Sequence, residues 1–163
     1  MKKEYKYASI FFVIIAVGII SISYFYDEVD LKRNTTNNID IDDKKFLRTS
    51  PKLQGISGYI NTSSDQINQD IEGKVVIYDF WTYSCINCIR TLPYLTAWDE
   101  KYRDDGLVIV GIHTPEFEFE KKYENVVFAT EKFGIKYPVV QDNEKEIWND
   151  FQNRYWPRKY IAD

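Results

Sequence analysis

The sequence predicts an α/β domain in which helices flank a central sheet. Apolar runs of strand length alternate with segments of helical periodicity between residues 73 and 163. The runs VVIYDF and LVIVGI are almost continuously apolar, which is typical of strands buried in a parallel sheet. Because 44% of the 163 residues are apolar and 17% are aromatic, the chain has ample material for one packed core.

The first predicted strand leads directly into a long predicted helix. A β-rich run from Lys74 to Phe80 predicts the strand. Apolar residues then recur at helical spacing, which predicts a helix from near Cys85 to about Arg103. Pro93 lies inside this segment and should kink it, and Gly106 is suited to end it. A pair of cysteines therefore falls at a strand-to-helix junction.

The remainder of the domain continues the alternation. LVIVGI predicts the second strand, HTPEFEFEK a loop, and residues 120–133 a helix that Gly134 ends. Residues 137–141 predict a third strand, and Asn143 to Glu146 have the form of a capping box before a short helix. A Trp-Pro turn precedes a fourth strand over residues 158–162. Strands that alternate with helices in this way imply parallel pairing.

An uncharged segment near the N-terminus predicts a membrane anchor. Residues 8–26 carry no charge, and a helix of that length spans about 28 Å, close to the thickness of a bilayer core. The segment ends in aromatic residues that suit a membrane interface, whereas a cleaved signal peptide, the alternative, usually ends in small residues. Lysines precede the segment and acids follow it. We therefore expect residues 1–7 to be cytoplasmic and the rest of this single-pass cell-membrane protein to be extracytoplasmic.

Composition narrows the classes of function for the exported part. Residues 27–50 are polar and lack apolar periodicity, which predicts a flexible linker before a domain over residues 51–163. The net charge is −4 and no basic stripe is present, so a nucleic-acid partner is not expected. Two cysteines and one histidine are too few to complete a structural zinc site within this chain.

Cys85 and Cys88 form a CxxC pair whose position suggests redox chemistry. Unpaired backbone N–H groups and the positive end of the helix dipole favour a thiolate at the first cysteine. Three residues make about one helical turn, so the second sulfur can close a disulfide. We expect Cys85 to attack and Cys88 to resolve, with no cofactor beyond this disulfide and no metal. Half of a zinc site and an inert buried pair are the alternatives.

Several separated motifs resemble one known family. DFWTYSCINC resembles the strand-to-helix junction of thioredoxin-like proteins, and more narrowly the DipZ and TlpA type. GIHTPEFEFEK, YPVVQDN and NRYWPRKYIAD follow in the order of the DipZ-like kind, so the resemblance covers about residues 50–163. It implies a thioredoxin-like fold, a central mixed sheet flanked by helices. Family members continue with another strand and a C-terminal helix, which are absent after Asp163.

The resemblance also implies roles for individual residues of the redox site. Cys85 matches the family's nucleophile and Cys88 its resolving cysteine. Asp79 matches a buried acid that moves protons at the resolving sulfur. A carboxylate in an apolar strand should have a raised pKa, which suits a proton carrier near neutral pH. The alternative for Asp79 is a carboxylate at a strand end that local hydrogen bonds satisfy.

Other positions are implied to bind the substrate or to surround the cysteines. Pro157 matches a cis-proline that lies across from the cysteines, and Trp156 before it is expected to shape the substrate groove. Trp81 matches a family aromatic near the active site, and we count it among the substrate-binding residues. Ser84 stands where many thioredoxins have tryptophan. His113, the single histidine, is expected to be a plain loop residue rather than a base or metal ligand.

The leading hypothesis is disulfide exchange with exported proteins, more as a reductant than as an oxidant. The CINC pair has no histidine between its cysteines, and a histidine there is typical of strongly oxidising members. The resemblance also implies electrons from a membrane thiol transporter. A thiol peroxidase is one alternative, since Thr82-x-x-Cys85 imitates its motif, although Tyr78 stands where a proline is expected. A copper-binding chaperone using Cys85, Cys88 and His113 and an inactive fragment are the others.

Overall fold

A computed structural model of the chain describes Ser21 and residues 50–163. The predicted cytoplasmic segment over residues 1–7, the anchor over residues 8–26 except Ser21, and the linker over residues 27–50 except Ser50 lie outside the described residues. Among the residues that are described, no helix has both the length and the apolar character needed to cross a membrane.

Within residues 50–163 the chain forms five strands, four α-helices and a short 3₁₀ helix. In chain order these are β1 (Gly58–Ile60), α1 (Ser64–Ile71), β2 (Val75–Trp81), α2 (Ile86–Tyr102), β3 (Leu107–His113), the 3₁₀ helix (Glu118–Lys121), α3 (Tyr123–Lys132), β4 (Val139–Gln141), α4 (Glu146–Asp150) and β5 (Arg158–Ala162).

The strands form a single mixed sheet in the order β1-β4-β3-β2-β5. Strands β2, β3 and β4 are parallel, β1 runs antiparallel to β4, and β5 runs antiparallel to β2. Parallel neighbours need crossover connections, and α2 and α3 provide them. The predicted α/β architecture is therefore confirmed. The carboxyl ends of β2, β3 and β4 meet at one edge of the sheet, and the cysteine pair follows β2 at that edge.

Apolar side chains cover both faces of the sheet. Because successive residues of a strand point to opposite faces, Tyr78 and Phe80 of β2 join one buried layer, together with Trp148 of α4. Ile77 and Trp81 of the same strand join the other layer, against the buried side of α2. Strand β2 is thus buried on both faces, which explains its almost continuously apolar sequence.

The first strand and the first helix were not predicted from the sequence. Strand β1 has three residues, and its main-chain partner β4 lies about 80 residues further along the chain. Helix α1 has the polar sequence SDQINQDI and buries only Ile67 in the core. Ser63 caps it by accepting a hydrogen bond from the Gln66 N–H at 3.3 Å. A short strand and a helix with one buried residue give too little periodicity to recognise.

The single helix predicted over residues 120–133 is in fact two elements. The backbone of Lys122 is extended, with φ −68° and ψ 121°, and it separates the 3₁₀ helix from α3. The carboxylate of Glu120 accepts hydrogen bonds from the N–H groups of Glu116 and Phe117, which tightens the chain before the break. The segment predicted as a loop therefore contains the whole of this 3₁₀ helix.

The predicted capping box over Asn143 to Glu146 is wrong. The carboxylate of Asp142 caps α4 instead, accepting the N–H groups of Ile147 at 3.0 Å and Trp148 at 2.9 Å. Lys145, directly before the helix, has a left-handed backbone with φ 61°. The Asp142 carboxylate thus satisfies two backbone N–H groups at the helix start, as many as the predicted box would.

Candidate active site

Cys85 occupies the N-cap position of α2, four residues after β2 ends. Its sulfur accepts a hydrogen bond from the Cys88 N–H at 3.3 Å, and its own N–H donates to the Thr82 carbonyl at 3.3 Å. The side chain is partly exposed, and the thiol is free. The Cys85 sulfur therefore faces the N–H groups of the first helical turn, a position that stabilises a thiolate and leaves it accessible.

Cys88 lies one turn further along α2 and is completely buried. Burial raises the pKa of the Cys88 thiol far above its usual range. A hydrogen bond with Cys85 and the negative charge of Asp79 raise it further, and a backbone hydrogen bond with Thr82 opposes them. Since only the thiolate is nucleophilic, Cys88 needs a base that removes its proton before it can attack.

Asp79 lies in the middle of β2 with no exposed surface. Burial raises the pKa of its carboxyl group, while the ammonium of Lys159 acts in the opposite direction. The Lys159 Nζ lies 2.8 Å from Asp79 Oδ1 and donates to the Thr91 hydroxyl at 3.0 Å. Because the charge of Asp79 acts on Cys88, the structure brings a buried acid and the buried thiol within electrostatic reach.

Trp156 and Pro157 lie immediately before β5, the antiparallel neighbour of β2. The peptide bond between them is cis, as the resemblance implies. The Trp156 ring packs against both apolar layers, including the one that contains Cys88, and lies 4.2 Å from the Trp148 ring. The ammonium of Lys145 lies 5.1 Å from the centre of the Trp156 ring. Trp156 is partly exposed, so its surface remains available at this edge of the domain.

Trp81 and His113 are both fully buried beneath the cysteine loop. The Trp81 ring packs edge-on against the His113 ring at 5.3 Å, and the substrate contact expected of Trp81 stays a prediction. His113 ends β3 and is not the loop residue that we expected. Its Nε2 lies 3.3 Å from the Thr82 hydroxyl. Burial lowers the pKa of His113 to about 4, which keeps the ring neutral near pH 7.

A buried carboxylate that the sequence analysis missed holds the residue before Cys85. Glu120 is fully buried and accepts hydrogen bonds from the Ser84 hydroxyl, the Glu116 N–H at 2.6 Å and the Phe117 N–H at 3.0 Å. Burial alone would raise the pKa of Glu120. Hydrogen bonds from Ser84, Thr82 and the backbone outweigh that effect and hold the pKa below its usual value. The alternating sequence FEFEK gave no indication that one of its acids is buried.

The site can support two-electron exchange between a pair of thiols and a disulfide. It contains an accessible sulfur at a helix start, a buried sulfur one turn away, and a buried acid beside the second sulfur. Within residues 50–163, no three or more His, Cys, Asp or Glu side chains are grouped so as to hold a metal ion.

Comparisons with known proteins identify relatives over most of the described domain. Residues 73–161 match the family model described as thioredoxin-like. The chain is 45% identical over 117 residues to the protein DipZ of Mycobacterium bovis, covering 71% of this chain and 17% of DipZ. It is 26% identical over 119 residues to the thiol-disulfide oxidoreductase YkuV of Bacillus subtilis, covering 73% of this chain and 79% of YkuV.

Solved structures show the same architecture. The solution structure of a thioredoxin-like protein in the oxidized form has a TM-score of 0.62 at 26% identity, covering 70% of this chain and 76% of that chain. A thiol-disulfide isomerase from Corynebacterium glutamicum has a TM-score of 0.61 at 22% identity, covering 72% of this chain and 81% of that chain. At 22% identity the second likeness supports the fold alone.

Proposed function

We propose that this chain, which belongs to the thioredoxin-like family and has a thiol–disulfide oxidoreductase domain of the DipZ and TlpA type, exchanges disulfides with exported proteins. The observation that carries this proposal is the pairing of an accessible Cys85 at the start of α2 with a buried Cys88 beside a buried acid. The proposed location is the outer side of the cell membrane, where disulfide chemistry is expected.

In the proposed reduction, the Cys85 thiolate attacks one sulfur of a substrate disulfide. A new bond forms between Cys85 and that sulfur, and the other substrate sulfur leaves as a thiolate. The carboxylate of Asp79 then takes the proton of Cys88. The Cys88 thiolate attacks the Cys85 sulfur, the second substrate sulfur leaves, and the protein retains a Cys85–Cys88 disulfide. Both substrate thiolates take up protons from water.

The pair must be reduced again before another turnover, and we propose that a membrane thiol transporter supplies the electrons. An anchor over residues 8–26 would keep the domain close to such a partner. In this proposal, Trp156 and the cis-Pro157 border the groove in which the substrate chain lies. Their position before β5, next to the layer that contains Cys88, supports that role.

Trapping of the mixed disulfide tests the proposal. In the full chain, Cys88→Ser should accumulate a covalent complex with a disulfide-containing protein such as insulin, because the resolving thiol is missing. Cys85→Ser should form no complex, and the unaltered chain should accelerate reduction of insulin by dithiothreitol. Equal trapping by the two variants, or no acceleration by the unaltered chain, would show that this site does not exchange disulfides.

A further inference from the structure

Lys159 brings a positive charge from β5 to the buried carboxylate of Asp79. The register of the two strands puts these residues directly opposite each other. The Lys159 Nζ lies 2.8 Å from Asp79 Oδ1, and its side chain is 28% exposed whereas that of Asp79 is completely buried. The same ammonium donates to the Thr91 hydroxyl at 3.0 Å. Contacts from β2 and α2 therefore hold the Lys159 ammonium beside the acid.

The titratable groups on which the charge of Asp79 acts are two weak acids, Cys88 and Tyr137. Cys88 approaches from α2, and burial together with Asp79 itself keeps its thiol protonated. Tyr137, just before β4, is buried, and burial and the charge of Asp79 raise the pKa of its phenol. The residue of β3 that pairs with Asp79 is Gly111, which has no charge to offer. Among the described residues, Lys159 is thus the cation that acts on Asp79.

We propose that Lys159 is a positioning residue that holds Asp79 in its carboxylate form and thereby favours reduction of substrates over their oxidation. This inference rests on the proposed function. In reduction, the Asp79 carboxylate takes the Cys88 proton, the Cys88 sulfur bonds to Cys85, and the substrate sulfur leaves with the electron pair. In oxidation, the Cys88 sulfur leaves Cys85 as a thiolate and takes a proton from the Asp79 carboxylic acid. A cation beside Asp79 assists the first step and hinders the second.

Lys159→Met should therefore affect the two directions in opposite ways. Without the ammonium, burial acts unopposed and the pKa of Asp79 rises further. The rate of resolution by Cys88, which needs the Asp79 carboxylate, should reach its plateau at a pH about 1–3 units higher than in the unaltered chain. The rate of disulfide opening, which needs the carboxylic acid, should also stay high to a pH about 1–3 units higher. Near neutral pH, resolution becomes slower and opening becomes faster.

Both rates can be measured with the full chain in a mild detergent. Reduced protein reacts with Ellman's reagent in two phases, and the second release of thionitrobenzoate reports the attack of Cys88 on the Cys85 mixed disulfide. Opening of the oxidised pair by dithiothreitol is followed by tryptophan fluorescence, with variant and unaltered chain compared at each pH. Lys159→Arg should keep both profiles, and so should Lys52→Met, which removes an exposed lysine that belongs to no strand or helix.

A purely structural role for Lys159 gives a different result. A loosened domain would admit water to Asp79, lower its pKa, and move both profiles to lower pH or slow both rates at every pH. Either of those results, or unshifted profiles, overturns the proposal. If Lys159→Met does not fold, the same profiles for Lys159→Gln decide in the same way. If the unaltered chain releases only the first thionitrobenzoate, the proposed function fails and this inference falls with it.

Discussion

Replacement of Glu120 by alanine should lower the free energy of unfolding by about 2–3 kcal/mol at pH 7. Three of the hydrogen bonds that the buried carboxylate accepts come from the Ser84 hydroxyl and from the N–H groups of Glu116 and Phe117. A hydrogen bond to a charged group contributes about 1.5–3 kcal/mol. The three do not add in full, because the carboxylate has lost its hydration and the N–H groups of this half-exposed loop can regain water.

Urea unfolding of the full chain, followed by tryptophan fluorescence, measures this loss. Glu118→Ala is the matched control, because Glu118 lies on the same 3₁₀ helix, its side chain is 87% exposed, and its ion pair with Lys121 is a surface one. Such a pair contributes about 0–1 kcal/mol. If the Glu118 and Glu120 variants unfold at the same urea concentration, the buried carboxylate does not stabilise this loop and the reasoning is refuted.

The same carboxylate predicts a dependence on pH. Since the pKa of Glu120 is held below its value in the unfolded chain, its charge contributes stability above that unfolded value, about 4.5. The contribution is lost as the pH falls through the folded pKa. The difference in the free energy of unfolding between the unaltered chain and Glu120→Gln should therefore be constant from pH 6 to pH 7 and shrink below about pH 4.5. A difference that grows in acid would contradict this assignment.

Three further predictions concern the core. Phe80→Ala should lower the free energy of unfolding by about 3–5 kcal/mol, because the ring is fully buried among three other aromatic rings. Val75 is half exposed, so Val75→Ala should lower it far less in the same urea titration. Because the pKa of His113 falls to about 4 on folding, the unfolded chain binds the proton more tightly than the folded domain. The free energy of unfolding should therefore fall by about 3 kcal/mol between pH 6.5 and pH 4. An equal fall in a His113→Gln variant would refute this. Gly111→Ala should lower the thermal midpoint, since an added Cβ would lie 3.1 Å from the Trp81 Nε1, and an unchanged midpoint would show that the neighbours can move.

The parallel core of the fold could be predicted because burial on both faces leaves a clear pattern. VVIYDF and LVIVGI are apolar throughout, and the structure has β2 and β3 at these positions. The helix after Cys85 was equally clear. In the structure α2 has 17 residues and continues past Pro93 to Tyr102. Strand β1 could not be predicted, since three residues paired with a distant strand carry no pattern of their own.

The site was only partly predictable for a related reason. Cys85 and Cys88 are close in sequence, and one helical turn sets their spacing. The contact between Lys159 and Asp79 joins residues 80 positions apart and depends on the register of β5 against β2, which the sequence does not give. The burial of Glu120 depends on a main-chain turn that its own side chain stabilises. Sequence patterns report which residues are apolar, whereas these polar contacts arise from tertiary packing.

A redox titration of the full chain tests the central claim most directly. The protein is equilibrated with dithiothreitol or glutathione buffers, and free thiols are trapped with an alkylating reagent and counted by mass. The account predicts that Cys85 and Cys88 lose their thiols together in one reversible two-electron transition, at about −270 mV if the domain is a reductant. If both thiols alkylate alike at every buffer ratio, as in an unfolded peptide, the pair is not a redox centre and the proposed function is contradicted.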